Sequence, residues 1–325
     1  MRHHHVNANG VGLHVVEQGE GPTVLLCHGF PESWYSWRHQ IAALAEAGFR
    51  AVAPDMRGYG HSDRPEAIDQ YTLMHMVGDM VGLLDAIGSQ TAVVVGHDWG
   101  APVAWHCALT RPDRFRGVAG LSVPFVPQGD VRPSTRWPVS GDLEFYMRHF
   151  QKPGVAEVEF DTNVKRAIGG FLSLLSGERP RRGPMIEGVP AEMMVPRDGG
   201  FGLTVPPTMA WPAWLTEKDL DFYVGEFKRT GFRGGLNWYR NIDRNWELGR
   251  LYKGAVLGVP ALFMAGDQDV VPEFPGLDQV VAALPQIVPT LKDSITLRGC
   301  GHWTQQERPR EVSEALIAFA RSVLL

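Results

Sequence analysis

The chain has 325 residues, of which 44% are hydrophobic and 21% charged, and its formal net charge is −5. That composition suits a globular protein with a sizeable core and excludes a disordered or fibrous chain, while the absence of any long Lys/Arg run argues against nucleic acid as a partner. The length is more than one compact core usually fills, so a core carrying an insertion is expected.

Residues 3–17 read as two strands around the Asn9-Gly10 turn. Residues 23–27 read as a buried strand that runs straight into His28-Gly29-Phe30-Pro31. Residues 34–47 have a helical apolar face of Trp37, Ile41 and Leu44. A strand follows at 50–53, then a glycine turn at 57–62 with no Lys-Ser/Thr pair, hence no phosphate loop. A helix is expected over 72–87, a strand over 91–95, a helix over 99–110 and a strand over 117–123. From about Pro124 the alternation stops: residues 125–250 are rich in Pro, Gly, Trp and Arg, with helical pieces near 142–150, 155–175, 216–229 and 234–244. The segment from Gly177 to Trp214 has no clear periodicity. Alternation resumes with a strand at 260–265, a helix at 276–284, a strand at 294–297 and a helix at 309–324. The expected fold is therefore an α/β core, 1–124 and 251–325, with a mostly parallel sheet flanked by helices, interrupted by a helical cap at 125–250.

Cys27, Cys107 and Cys300 are an odd, scattered set, which suits a reducing compartment better than a disulfide framework. With no apolar signal region and no run of membrane-spanning length, a cytoplasmic location is expected. His3, His4 and His5 read as a polar terminus, and no other metal-ligand spacing occurs, so no metal is expected.

Chemistry concentrates where strands end, at the edge where such sheets carry their sites. Val93-Val94-Val95-Gly96-His97-Asp98-Trp99-Gly100-Ala101 has the small-residue spacing of a nucleophile elbow, with a carboxylate at its tip. An Asp before a helix is also a common N-cap, but a cap does not require small residues on both sides. Asp269 lies just past the 260–265 strand, with Asp267 as a competitor, and His302 lies past the 294–297 strand. The order nucleophile, acid, histidine is that of α/β-hydrolases. A carboxylate that attacks saturated carbon makes an ester, which water can open at its carbonyl. Asp98 therefore implies displacement at an sp3 carbon, with His302 as base for the water and Asp269 orienting it. The backbone N–H groups of Phe30 and Trp99 are the natural oxyanion donors. Tyr146 and Tyr239, in the cap, are phenols able to protonate an epoxide oxygen, although on residues alone ordinary cap packing explains each as well.

These residues resemble the epoxide hydrolases of the α/β-hydrolase fold. The likeness rests on His28-Gly29-Phe30-Pro31-Glu32-Ser33-Trp34, Gly96-His97-Asp98-Trp99-Gly100-Ala101, residues 150–157, Gly231-Phe232-Arg233-Gly234, residues 237–241 and Gly301-His302-Trp303. It is weakest over 177–213. The resemblance implies Asp98 as nucleophile, Asp269 and His302 as the charge-relay pair, Tyr146 and Tyr239 as ring-opening acids, and Phe30 and Trp99 as oxyanion donors. It also implies a small-molecule epoxide as substrate, no cofactor, and a role such as detoxification, and it leaves monomer and homodimer both open. A haloalkane or haloacid dehalogenase shares the nucleophile. However, Phe30 stands where haloalkane dehalogenases commonly place Asn, and Trp99 stands where haloacid enzymes favour Arg. A ligand-binding protein without turnover is the third alternative.

Overall fold

The structure, a computed structural model, describes residues 1–179, 189–203 and 210–325. In chain order the first part of the core holds β1 (Arg2–Ala8), β2 (Val11–Gln18), β3 (Thr23–Cys27), α1 (Arg38–Glu46), β4 (Arg50–Pro54), α2 (Leu73–Ala86), β5 (Ala92–His97), α3 (Gly100–Thr110) and β6 (Phe115–Leu121). The middle of the chain holds β7 (Val139–Ser140), β8 (Leu143–Phe145), α4 (Tyr146–His149), α5 (Val155–Thr162), α6 (Val164–Leu174), β9 (Met194–Pro196), α7 (Glu217–Thr230), α8 (Arg233–Arg240) and α9 (Ile242–Gly249). The core then resumes with β10 (Ala261–Gly266), α10 (Leu277–Ala282), α11 (Leu284–Ile287), β11 (Leu291–Leu297), α12 (Thr304–Glu307) and α13 (Pro309–Leu324).

Among the described residues, eight strands form one sheet in the order β1-β2-β4-β3-β5-β6-β10-β11. The β1–β2 and β2–β4 pairs are antiparallel and the other neighbours parallel. Every residue of β3, β5 and β10 is buried, as unbroken apolar strands require when helices cover both faces. Leu25 and Val94 pack with α2 and α3 through Met80, Leu83 and Trp105, whereas Val24, Leu26, Val93 and Val95 pack with α1 and α13 through Ile41, Leu44 and Phe319. Alternation along each strand thus divides the core into two layers. The register aligns Cys27 with Gly96, Gly96 with Gly120, Leu121 with Met264 and Gly266 with Leu297. The loops after β3, β5, β6, β10 and β11 consequently open on one edge of the sheet.

Several expected elements are different in detail. The helix expected over 142–150 begins as a strand: β8 pairs with β7 and with β9 in a three-stranded sheet, so the middle segment is not purely helical. The partner β9 lies some fifty residues along the chain, beyond the reach of local periodicity. The stretch 155–175 is two helices, split at Asn163 (φ −148°, ψ 80°), whose side chain accepts the Arg166 N–H and starts α6. The stretch 234–244 likewise breaks at Asn241, and 276–284 ends at Ala283 before the Pro-containing start of α11. Residues 34–37 form a 3-10 turn ahead of α1. Within the segment 177–214, residues 180–188 and 204–209 lie outside the described residues. Among the described residues no helix is long and apolar enough to cross a membrane.

Candidate active site

Between β5 and α3 the chain turns sharply at Asp98, where φ is +49°. The turn is tight enough that a Cβ on Gly96 would lie 2.0 Å from the Gly100 carbonyl oxygen, and one on Gly100 would lie 2.1 Å from that of Cys27. Glycine is therefore the residue that lets strand, turn and helix close on one another. The Asp98 side chain does not cap its own helix, for α3 has no side-chain cap. Its Oδ1 instead accepts the backbone N–H of Phe30 at 2.7 Å. Trp99 follows directly and opens α3, so its backbone N–H lies at the elbow.

Two loops bring the partners. His302, after β11, places Nε2 3.5 Å from Asp98 Oδ2 and Nδ1 3.2 Å from Asp269 Oδ1. Asp269, after β10, is 2% exposed, and its Oδ1 also accepts the Val271 N–H. The competitor Asp267 accepts the Gly299 N–H at 2.8 Å and braces the histidine loop from outside. Burial on its own would lower the His302 pKa, but the charges and hydrogen bonds of Asp269 and Asp98 outweigh it and raise the pKa to about 10. For Asp269, burial pushes upward, yet His302, with help from Ser122 and Val271, leaves the carboxyl below its usual range.

Tyr146 opens α4 and Tyr239 lies on α8; both line a cavity of about 30 Å³ together with Phe30, Asp98 and His302. Their ring centroids are 5.9 Å apart, and Trp99 stands edge-on to Tyr239 at 5.1 Å. Burial raises both phenol pKa values well above the usual one, and the Asp98 charge adds to this, so both hold their protons in the resting site. A wider groove of about 550 Å³ runs alongside and shares Phe274 with the cavity, but it reaches none of Asp98, His302, Tyr146 and Tyr239.

Of the seven residues singled out by sequence, Phe30, Asp98, Tyr146, Tyr239 and His302 line this cavity, while Asp269 stands behind His302 and Trp99 against Tyr239. Three others belong to the same constellation and were not foreseen. Glu32 is fully buried; it accepts the Gly29 N–H and the Gln305 side-chain N–H and lies 2.8 Å from His97 Nδ1. His97 Nε2 in turn lies 2.7 Å from the His302 carbonyl oxygen. Ser122, the residue after β6, has its Oγ 2.9 Å from His302 Nδ1. Their partners are remote in sequence, and the one available signal was a polar residue at the end of a buried strand.

A carboxylate with one oxygen on an amide donor and the other beside an imidazole, facing two protonated phenols, can open a strained ether and then hydrolyse the resulting ester. Known proteins agree with that chemistry. Residues 22–178 match the family described as alpha/beta hydrolase fold. Epoxide hydrolase A of Mycobacterium tuberculosis (strain ATCC 25618 / H37Rv) is 45% identical over 317 residues, spanning 97% of this chain and 95% of that one. Epoxide hydrolase 2 of Siraitia grosvenorii is 41% identical, spanning 99% and 98%. Among solved structures, an epoxide hydrolase from an endophytic Streptomyces superposes with a TM-score of 0.92 at 45% identity, over 99% of this chain and 95% of that one. Epoxide hydrolase A from Mycobacterium thermoresistibile gives 0.90 at 46%, over 100% and 99%. This chain belongs to the epoxide hydrolases of the α/β-hydrolase fold, which convert an epoxide and water to a vicinal diol through an aspartyl ester.

Proposed function

We propose the following division of labour in that reaction, resting chiefly on the convergence of Tyr146, Tyr239 and Asp98 on one cavity. Asp98 Oδ1 is held by the Phe30 N–H, so Oδ2 is the oxygen that attacks the epoxide carbon. As that C–O bond forms, the ring C–O bond breaks, and Tyr146 or Tyr239 gives its proton to the departing oxygen. Oδ1 becomes the ester carbonyl, already resting on the amide that will steady its charge when water adds; the Trp99 N–H serves as second donor. Esterification removes the Asp98 charge, one of the influences that keep His302 protonated. The imidazole then gives up its proton, which restores the phenol that ring opening deprotonated, and so becomes a base at the step that needs one. It takes a proton from water at Nε2, hydroxide adds to the Asp98 carboxyl carbon, and the diol leaves with Oδ2. Asp269 holds the imidazole in place throughout.

We further assign 1–124 and 251–325 to the hydrolase core and 125–250 to the cap. The buried, unpaired Cys27, Cys107 and Cys300 support a cytoplasmic location, and the substrate is a small epoxide rather than nucleic acid. Sedimentation of the full chain distinguishes a monomer from a homodimer. The roles are tested with styrene oxide in single-turnover reactions. Asp98→Ala should form neither ester nor diol. Tyr146→Phe combined with Tyr239→Phe should slow ester formation by about 10²–10⁴-fold with an unchanged circular dichroism spectrum. Ester formation at the wild-type rate in the double variant would remove the tyrosines from the reaction.

A further inference from the structure

β6 ends at Leu121, and the residue that follows is fully buried with φ at +70°. L-residues other than Gly and Asn rarely adopt that conformation, since Cβ crowds the carbonyl oxygen. The residue is Ser122. Its backbone N–H donates to the Met264 carbonyl at 2.8 Å, a bond that glycine would make equally well. What glycine would lack is the hydroxyl, 2.9 Å from His302 Nδ1 and so nearer to it than Asp269 Oδ1 at 3.2 Å. Strain kept at a site usually serves the geometry of that site.

The hydroxyl has room for two hydrogen bonds. Nδ1 carries one proton, which Ser122 Oγ can accept; the serine's own proton is then free for an acceptor. Asp269 Oδ1 is already engaged by the Val271 N–H and His302, whereas Oδ2 is buried and has no hydrogen-bond partner of ordinary geometry. The Ser122 hydroxyl is close enough to that carboxylate to help stabilise its charge.

We propose that Ser122 is a positioning residue for ester hydrolysis: its hydroxyl accepts the Nδ1–H of His302 and turns its own proton toward Asp269, so that the acid orients the imidazole through the serine as well as directly. The inference rests on His302 being the base described above. Ser122 exchanges no proton. Water gives one to Nε2, its oxygen bonds to the Asp98 carboxyl carbon, and the ester C–O bond breaks. The leaving alkoxide then takes the Nε2 proton, and the carboxylic acid left at Asp98 passes its own proton to Nε2, which returns His302 and Asp98 to their starting charged states. Ring opening does not call on the neutral imidazole, so the two half-reactions should respond differently to loss of the hydroxyl.

The test is quench-flow with excess enzyme and styrene oxide, following the mass of the peptide containing Asp98. Ser122→Gly relieves the backbone and removes the hydroxyl. Ester should form within about twofold of the wild-type rate but disappear roughly tenfold or more slowly, the scale expected for a lost hydrogen bond to a charged group. In the steady state kcat and KM should then fall together, because the ester accumulates. Ser122→Asn, which tolerates the same backbone angles and retains a side-chain oxygen, should restore much of the hydrolysis rate. Unchanged ester hydrolysis in Ser122→Gly would overturn the proposal, as would equal slowing of both steps with a raised KM, the mark of a merely structural role. Absence of ester in the wild-type enzyme would instead overturn the assignment of Asp98 and His302, which keeps the two failures distinct.

Discussion

Asp98 and His302 are coupled through charge. The imidazole sits between two carboxylates, buried, with its pKa raised to about 10. Neutralising the Asp98 charge, as the proposed ester does transiently and Asp98→Ala does permanently, should lower it. Titration of the imidazole resonances by NMR should therefore show a lower His302 pKa in Asp98→Ala than in wild type; an equal or higher value would detach the base from the nucleophile. At this scale the sequence was legible wherever spacing carried the chemistry. The small residues around Asp98 marked the elbow, and the strand end before His302 marked the histidine loop. Spacing left Asp267 and Asp269 as rivals, because both lie in the same loop. They are told apart only by where the loop folds: Asp267 turns outward to the Gly299 N–H and Asp269 inward to the imidazole. Ser122 and Glu32 were not legible, since each acquires its meaning from a histidine brought near by the sheet.

The cap and core elements are joined by specific polar contacts as well as by the aromatic packing around Phe30 and Tyr239. Thr216 and Asp219 form a capping box that starts α7. The same Asp219 carboxylate accepts the Tyr35 hydroxyl at 2.9 Å and lies 3.3 Å from Arg38 Nε, reaching across to the 3-10 turn and the start of α1. Asp219→Ala would remove the box and the tie together. It should cost about 1–3 kcal/mol in urea unfolding, the range for lost bonds to a partly buried charge; a variant as stable as wild type would mean that α7 is held by its apolar face alone. Among the elements, the core strands were the easiest to read, because each is a short, unbroken apolar run between turns. The cap was harder. Asn163 and Asn241 interrupt helices whose apolar spacing continues past them, and β8 is the central strand of a small sheet completed by the distant β9.

Across the whole molecule, the parallel sheet gathers residues from five loops at one edge, so stability and activity share the same charges. The folded state raises the His302 pKa from 6.5 to about 10, which means that it favours the protonated imidazole. That contribution is complete below about pH 6.5 and is lost as pH rises toward about 10. The Asp269 carboxyl shifts the other way, so its contribution is present above its usual pKa and is lost only in acid. The stability of wild type relative to His302→Gln should therefore narrow between about pH 6.5 and 10 in denaturant titrations; a gap independent of pH would contradict the coupling.

The most direct measurement is a single turnover in H₂¹⁸O with enzyme in excess over styrene oxide. If the Asp98 carboxylate bonds to the epoxide carbon and water opens the ester at its carbonyl, the first diol released carries no label and ¹⁸O appears in the peptide containing Asp98. Label in the diol from that first turnover, with none in the peptide, would show water attacking the epoxide itself and would contradict a covalent role for Asp98.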